Sequence, residues 1–190
     1  LIQRFDRSLA DGVQHRHHML SALTMLGCHE SESRNKSYAD IAEVIRARTD
    51  EQFIKSSCRE LFGRMVFNIF VTNDDDHLRN HAFLWESATR SWRLSPLYDV
   101  MPRPMLATER NLHLSIGHQG RSATLDNALS GYARFGITRP DALDIIDRIW
   151  RVVREWKVRF EGYGVAGREI EAIESAFRHL DEVATPDLKK

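Results

Sequence analysis

The chain of 190 residues holds only two cysteines, and neither belongs to a CxxC pair. Cys28 and Cys58 define no disulfide framework and no zinc ribbon, and read as free thiols of a reducing cytoplasm. Lysine is scarce too, standing only at positions 36, 55, 157, 189 and 190. Net charge is absent: Lys+Arg and Asp+Glu both number 27, so the chain as a whole exerts no pull on nucleic acid or membrane. No apolar run reaches the ~18 residues of a membrane span, and the N-terminus lacks a secretory pattern. Internal repeats and low-complexity stretches are missing as well. What is present is globular. A hydrophobic share of 42% beside a charged share of 28% excludes disorder and a small disulfide scaffold. At this length folding buries roughly 70% of the extended surface, so the core needs no staples. The chain opens at Leu1 within an apolar run, as a segment of a longer protein would.

Periodicity predicts a mainly α domain with a small β insertion. Residues 1–5 read as a short strand and Asp6 to Gly12 as a polar turn. Met19, Leu20, Leu23 and Leu26 have helical spacing over 15–26, with Gly27 as a stop. A polar loop over 31–37 precedes a helix over 38–48. Thr49, with Gln52 in capping-box register, predicts the start of a helix that runs to Phe70 and is apolar nearly all round near its end. His81 to Trp85 and Ser91 to Leu94 read as strands of a hairpin, with Trp85 and Trp92 packing across it. Residues 99–131 are mostly loop, with one strand at 112–116. Thr138 and Pro140 open a helix whose apolar stripe continues to Phe160, and a last helix spans about 168–183.

Between the most apolar helix and the hairpin stands Thr72-Asn73-Asp74-Asp75-Asp76-His77-Leu78-Arg79-Asn80, with one apolar side chain in nine. Three adjacent aspartates repel one another and favour a solvated turn. The block nevertheless follows directly on a core helix and contains a definite spacing. Asn80 comes five residues after Asp75, and Asp99 lies beyond the hairpin, 24 residues after Asp75. Phosphoryl transfer in protein kinases needs this set: an Asp for the attacking hydroxyl, an Asn five residues on for Mg²⁺, and a second Asp beyond a hairpin for the metal. Oxygen donors suit Mg²⁺, whereas zinc prefers nitrogen and sulfur. The His-Arg pair that precedes the Asp in the kinase loop is absent; Asn73-Asp74 stand there instead.

The string from Asn73 to Leu84, followed by Arg93-Leu94-Ser95-Pro96-Leu97-Tyr98-Asp99-Val100, resembles the C-terminal domain of HipA-like serine/threonine kinases, toxins of bacterial toxin–antitoxin pairs. Arg4-Phe5-Asp6-Arg7 is similar to that family's hinge. The resemblance spans about 1–180 and implies a kinase-like C-terminal lobe over 1–185, with a hinge at 1–7, catalytic and metal loops at 72–99, helices at 138–183, and a tail at 186–190. It implies Asp75 as the catalytic residue and Asn80 and Asp99 as Mg²⁺ ligands. Around ATP it implies Gln3, Arg4, Phe5, His77, Asn80, Tyr98 and Asp99. Gln3 replaces the more usual Glu, and Asp74 stands where the family often has Thr. The implied partners are a helix-turn-helix antitoxin, operator DNA through the antitoxin complex, and a protein substrate, by resemblance an aminoacyl-tRNA synthetase. No membrane is implied.

These residues contain no Gly-rich phosphate loop, and Lys36 and Lys55 lie in a loop and a helix. On the resemblance, the family's N-terminal lobe is expected to lie outside these residues, and the 190 residues alone are expected to be inactive. The alternative is a binding module that engages an antitoxin repressor without catalysis. Other groups have plainer expectations. His15 and His18 fall on one helical face with no third ligand. Asp141, Asp144 and Asp147 form a solvated face, and Arg148, Arg151, Arg154 and Arg159 give the late helix a basic side. Residues 100–121 are a candidate activation segment.

Overall fold

A computed structural model describes residues 4–185. The strand expected at 1–5 and the nucleotide-binding role expected of Gln3 fall largely outside them. Asp11 and Gly12 take φ of +52° and +76°, left-handed angles at both central positions of a two-residue turn. That turn joins β1 (Arg7–Ala10) to β2 (Val13–Arg16) as an antiparallel hairpin. β3 (Met19–Ser21) follows, and α1 (Ala22–Met25) is one turn long, capped by the Ser21 hydroxyl. The expected helix over 15–26 is thus helical only at Ala22–Met25, with strand before it, and His15 and His18 do not share a helical face. The apolar spacing there suits either element, and the Asp-Gly pair decides it.

The polar loop after α1 contains a 3₁₀ turn, Glu30–Asn35. Ser37 then caps α2 (Tyr38–Arg48) in a capping box with Asp40. α3 (Glu51–Val71) starts from Asp50, whose side chain accepts from the Gln52 N–H; Thr49 instead ends α2. α2 and the later helix over Arg139–Val153 pack on α3, and Leu61, Phe62, Met65 and Ile69 are wholly buried. The antiparallel pair β4 (Ala82–Glu86) and β5 (Ser91–Leu94) joins β3 in a three-stranded sheet, in the order β3-β4-β5. Trp85 stands directly opposite Trp92, ring centroids 5.3 Å apart.

Residues 95–124 hold only isolated bridges, such as Ser37 with Ser115 and Asn111 with Ser122; the strand expected at 112–116 is not formed. α4 (Leu125–Ser130) leads through a 3₁₀ turn to α5 (Arg139–Val153), which opens with the Thr138–Asp141 capping box and Pro140. The apolar stripe does not continue as one helix. The chain breaks at Arg154 and Glu155, restarts as α6 (Trp156–Gly162), and closes with α7 (Gly167–Ile173), a 3₁₀ turn and α8 (Leu180–Val183). Trp156 stacks on Phe177 at 3.9 Å, which turns the late segments back on the body. The architecture is mostly helical with small antiparallel sheets. No helix among the described residues is long and apolar enough to cross a membrane.

Candidate active site

The site grows from one feature of α3. Within its apolar end, Arg64, Asn68 and Thr72 recur every four residues and so lie along one line of the helix. All three are buried. Buried polar groups need partners, and each of these finds one on a different segment. Arg64 Nη2 donates to the Ser95 carbonyl at 2.6 Å, holding the stretch that leads to Asp99, while its Nε meets Glu60 at 3.0 Å. Thr72, at φ +53°, ends the helix and donates to the Ala176 carbonyl at 2.7 Å. Asn68 holds the loop between them. Its Nδ2 donates to Asp76 Oδ2 at 2.7 Å, and its Oδ1 accepts from Asn73 Nδ2 at 3.0 Å.

The three aspartates therefore meet three environments. Asp74 is partly covered and pairs with Arg103 at 2.8 Å. Asp76 is 2% exposed. Its Oδ2 accepts from the Tyr38 hydroxyl at 2.6 Å, from Asn68, and from His81 Nε2 at 2.9 Å. An ionised carboxylate only accepts, so the His81 proton sits on Nε2. Burial alone would raise the Asp76 pKa, but His81, Tyr38 and Arg64 hold it below the ordinary value. Burial, followed by the Asp76 charge, pushes Tyr38 well above its ordinary value and keeps it a donor. Asp75, between them, is exposed.

Local hydrogen bonds shape the rest of the loop. The Asp75 carbonyl accepts from the His77 N–H at 2.8 Å and from Asn80 Nδ2 at 3.1 Å. Asn80 is thus oriented by its amide nitrogen, and its Oδ1 has no partner among the described residues. The Tyr98 hydroxyl donates to the Arg79 carbonyl, bringing the residue before Asp99 against the residue before Asn80. Burial, with Asp99 beside it, pushes Tyr98 up to about 12, so it remains a donor. Asp99 is exposed with φ +54°, an uncommon angle for a residue with a Cβ. The Phe5 ring packs on Tyr98 at 5.6 Å, so the expected hinge segment borders the same place. Arg4 points its charge elsewhere, into a bidentate pair with Asp6.

On the other flank the His77 ring meets His113 edge-on at 5.7 Å, and His113 Nε2 lies 3.0 Å from Ser33 Oγ. Burial, then the charges of His77 and Arg34, lower the His113 pKa. Contacts thus run from Phe5 to Tyr98, from Tyr98 to the Arg79 carbonyl beside Asn80, and from Asn80 and His77 to the Asp75 carbonyl; Asp99 follows Tyr98 in the chain. Sequence reasoning missed Tyr38, Asn68, Asp76, His81, Arg64 and His113. Asn68 and Arg64 left a readable signal, since with Thr72 they recur every four positions along an apolar helix and such residues need partners. Asp141 differs from expectation as well. It closes the Thr138 capping box and pairs with Arg59, so it belongs to a fixed contact rather than a solvated face.

A family model described as the HipA-like C-terminal domain matches residues 1–156. The chain belongs to this family. A Haemophilus influenzae protein named "Putative kinase" is 27% identical over 123 residues, covering 61% of this chain and 35% of that protein. HipA of Shewanella oneidensis MR-1, solved with HipB and operator DNA, superposes with a TM-score of 0.63 at 17% identity, over 95% of this chain and 43% of that one. At that identity the likeness is one of fold. The chain spans about a third of the length of the curated relative and under half of the solved one.

Proposed function

We propose that the domain is the C-terminal, kinase-like catalytic lobe of a serine/threonine protein kinase that transfers the γ-phosphoryl group of ATP to a protein hydroxyl. One observation carries this reading. In a segment crowded with polar groups, Asp74 and Asp76 are committed to other residues, while the Asp75 carboxylate, Asn80 Oδ1 and the Asp99 carboxylate take part in no hydrogen bond or ion pair among the described residues. The family membership and the kinase name of the Haemophilus relative agree with it.

Asp75 orients the substrate hydroxyl and takes its proton. The oxygen that loses the proton forms the new bond to the γ-phosphorus, and the bond to the β-bridging oxygen breaks to release ADP. Asn80 and Asp99 offer oxygen donors only, a set that fits Mg²⁺. No group of three His, Cys, Asp or Glu side chains among the described residues forms a metal cage. Mg²⁺ in nucleotide sites is held by one or two protein groups together with the phosphates. When bound, Mg²⁺ neutralises charge developing on the transferred group. Phe5 and Tyr98 border the nucleotide, with Gln3 and Arg4 contributing through the hinge backbone, and His77 faces the phosphates.

A phosphate-covering glycine loop is not among these residues. The 190 residues by themselves are therefore inactive, since phosphoryl transfer depends mostly on positioning and charge stabilisation. An antitoxin repressor and, through it, operator DNA are the partners this reading carries, and an aminoacyl-tRNA synthetase is the substrate class; the working compartment is the cytoplasm. The test is Asp75→Ala in the full-length protein, read as label transfer from γ-labelled Mg-ATP to proteins of a bacterial extract. The expected loss is about 10²–10⁴-fold, with unchanged thermal stability. Undiminished transfer would refute the assignment.

A further inference from the structure

Beside the partly covered Asp74–Arg103 pair and the bond from Tyr98 to the Arg79 carbonyl, the loop is held by Asn73, Asp76, Leu78 and the Asn80 amide. The Asn80 amide bonds only within the loop, to the Asp75 carbonyl. Leu78 is fully buried; its side chain supplies apolar contact without direction, and its backbone makes long bonds with Ser33 and Leu23, at 3.4 and 3.3 Å. Asn73 meets the Asn68 amide near the end of α3. Asp76 is different, because its partners come from three separate places. Tyr38 opens α2, Asn68 belongs to α3, and His81 immediately precedes β4. Tyr38 is itself tied beyond α2, its N–H donating to the Ser115 carbonyl at 3.1 Å. The Asn68 amide is used at both ends, and its Nδ2 also approaches the Tyr38 hydroxyl at 3.2 Å.

A buried carboxylate is a poor way to gain stability, because desolvation offsets most of what its partners return. Its distinctive property is direction: three donors fix an oxygen far more narrowly than apolar packing does. We infer that Asp76 is a positioning residue for the reaction. Held by Tyr38, Asn68 and His81, its carboxylate fixes the backbone turn that carries Asp75 and Asn80. This rests on the kinase reading of the preceding subsection. Asp76 touches neither substrate nor nucleotide and acts through its neighbour. A displacement of the order of 1 Å at the reacting group costs about 10²-fold in rate, so losing this grip shows in turnover.

The test uses full-length protein and the same label transfer, titrated with ATP, with thermal melting alongside. Asp76→Asn is expected to lower the maximal rate about tenfold or more while half-saturating ATP stays within about twofold. Tyr38→Phe, which removes one of the three bonds and leaves the ring, is expected to give a smaller fall in the same parameter. The double variant Asn68→Asp/Asp76→Asn exchanges amide and carboxylate across their shared bond and is expected to recover part of the lost rate. Full maximal rate in a folded Asp76→Asn or Tyr38→Phe protein would overturn the inference while leaving the kinase reading intact. A loss that only tracks the unfolded fraction, or appears only in half-saturating ATP, would also overturn it. A wild-type protein that transfers no label would remove both.

Discussion

α3 and α5 both carry polar side chains at regular helical spacing, yet the two patterns do opposite things. In α3, Arg64, Asn68 and Thr72 are buried, and their partners, the Ser95 carbonyl, Asp76 and the Ala176 carbonyl, all lie outside the helix. In α5, Asp147 pairs with Arg151 one turn away, both largely exposed. Polar periodicity alone therefore says little. Whether the partner is remote and dry, or adjacent and wet, decides whether a residue arranges the fold or decorates it.

Breaking the inner pattern should cost most. Asn68→Leu leaves the Asp76 carboxylate short of a donor and Asn73 without its acceptor, and is expected to destabilise the protein by about 3 kcal/mol in denaturant unfolding. A cost below about 1 kcal/mol would mean that the loop does not depend on α3. The junction between the two patterns lies at the start of α5. Thr138→Ala removes the helix cap and should cost about 1 kcal/mol. There Thr138 and Arg59 hold the Asp141 carboxyl down at about 2. Its folded value lies below the ordinary 3.8, so the stability it contributes is present above about pH 4 and is lost as the pH falls toward 2. Acid titration of Asp141→Asn should therefore show a flatter stability curve across that window, and an unchanged curve would contradict the contact. The outer pattern should hardly matter: Arg151→Met is expected to stay within about 0.5 kcal/mol of wild type.

Much of the framework could be read from the residues. The α2, α3 and β4–β5 segments follow from apolar spacing, although α3 is capped by Asp50 rather than Thr49, and the pairing of Trp85 with Trp92 follows from hairpin register. Asp75, Asn80 and Asp99 were legible as a spacing around a hairpin. What failed did so for local reasons. Over 15–26 an apolar spacing fits either element, and the left-handed turn at Asp11-Gly12 sets the strands that precede the short α1. The late stripe looked continuous because periodicity survives a break at Arg154 and Glu155, where the new helix keeps Trp156 facing inward. Asp76 could not be separated from Asp74 and Asp75 by pattern. Three like residues in a row carry no phase, and only the position of Asn68, Tyr38 and His81 in space selects the inward one.

The segment beyond residue 156 lies outside the family match, yet it finishes the carboxyl end of α3. Arg178 donates its N–H to the Phe70 carbonyl at 2.8 Å and its guanidinium to the Ala123 carbonyl at 2.7 Å. The Ser175 carbonyl accepts from Arg110, which also bonds Thr72. The border drawn by shared sequence is therefore not the border of the folding unit. A protein trimmed at that border would leave a frayed helix terminus immediately upstream of Asp75, and its failure would be mistaken for a lesion in the chemistry.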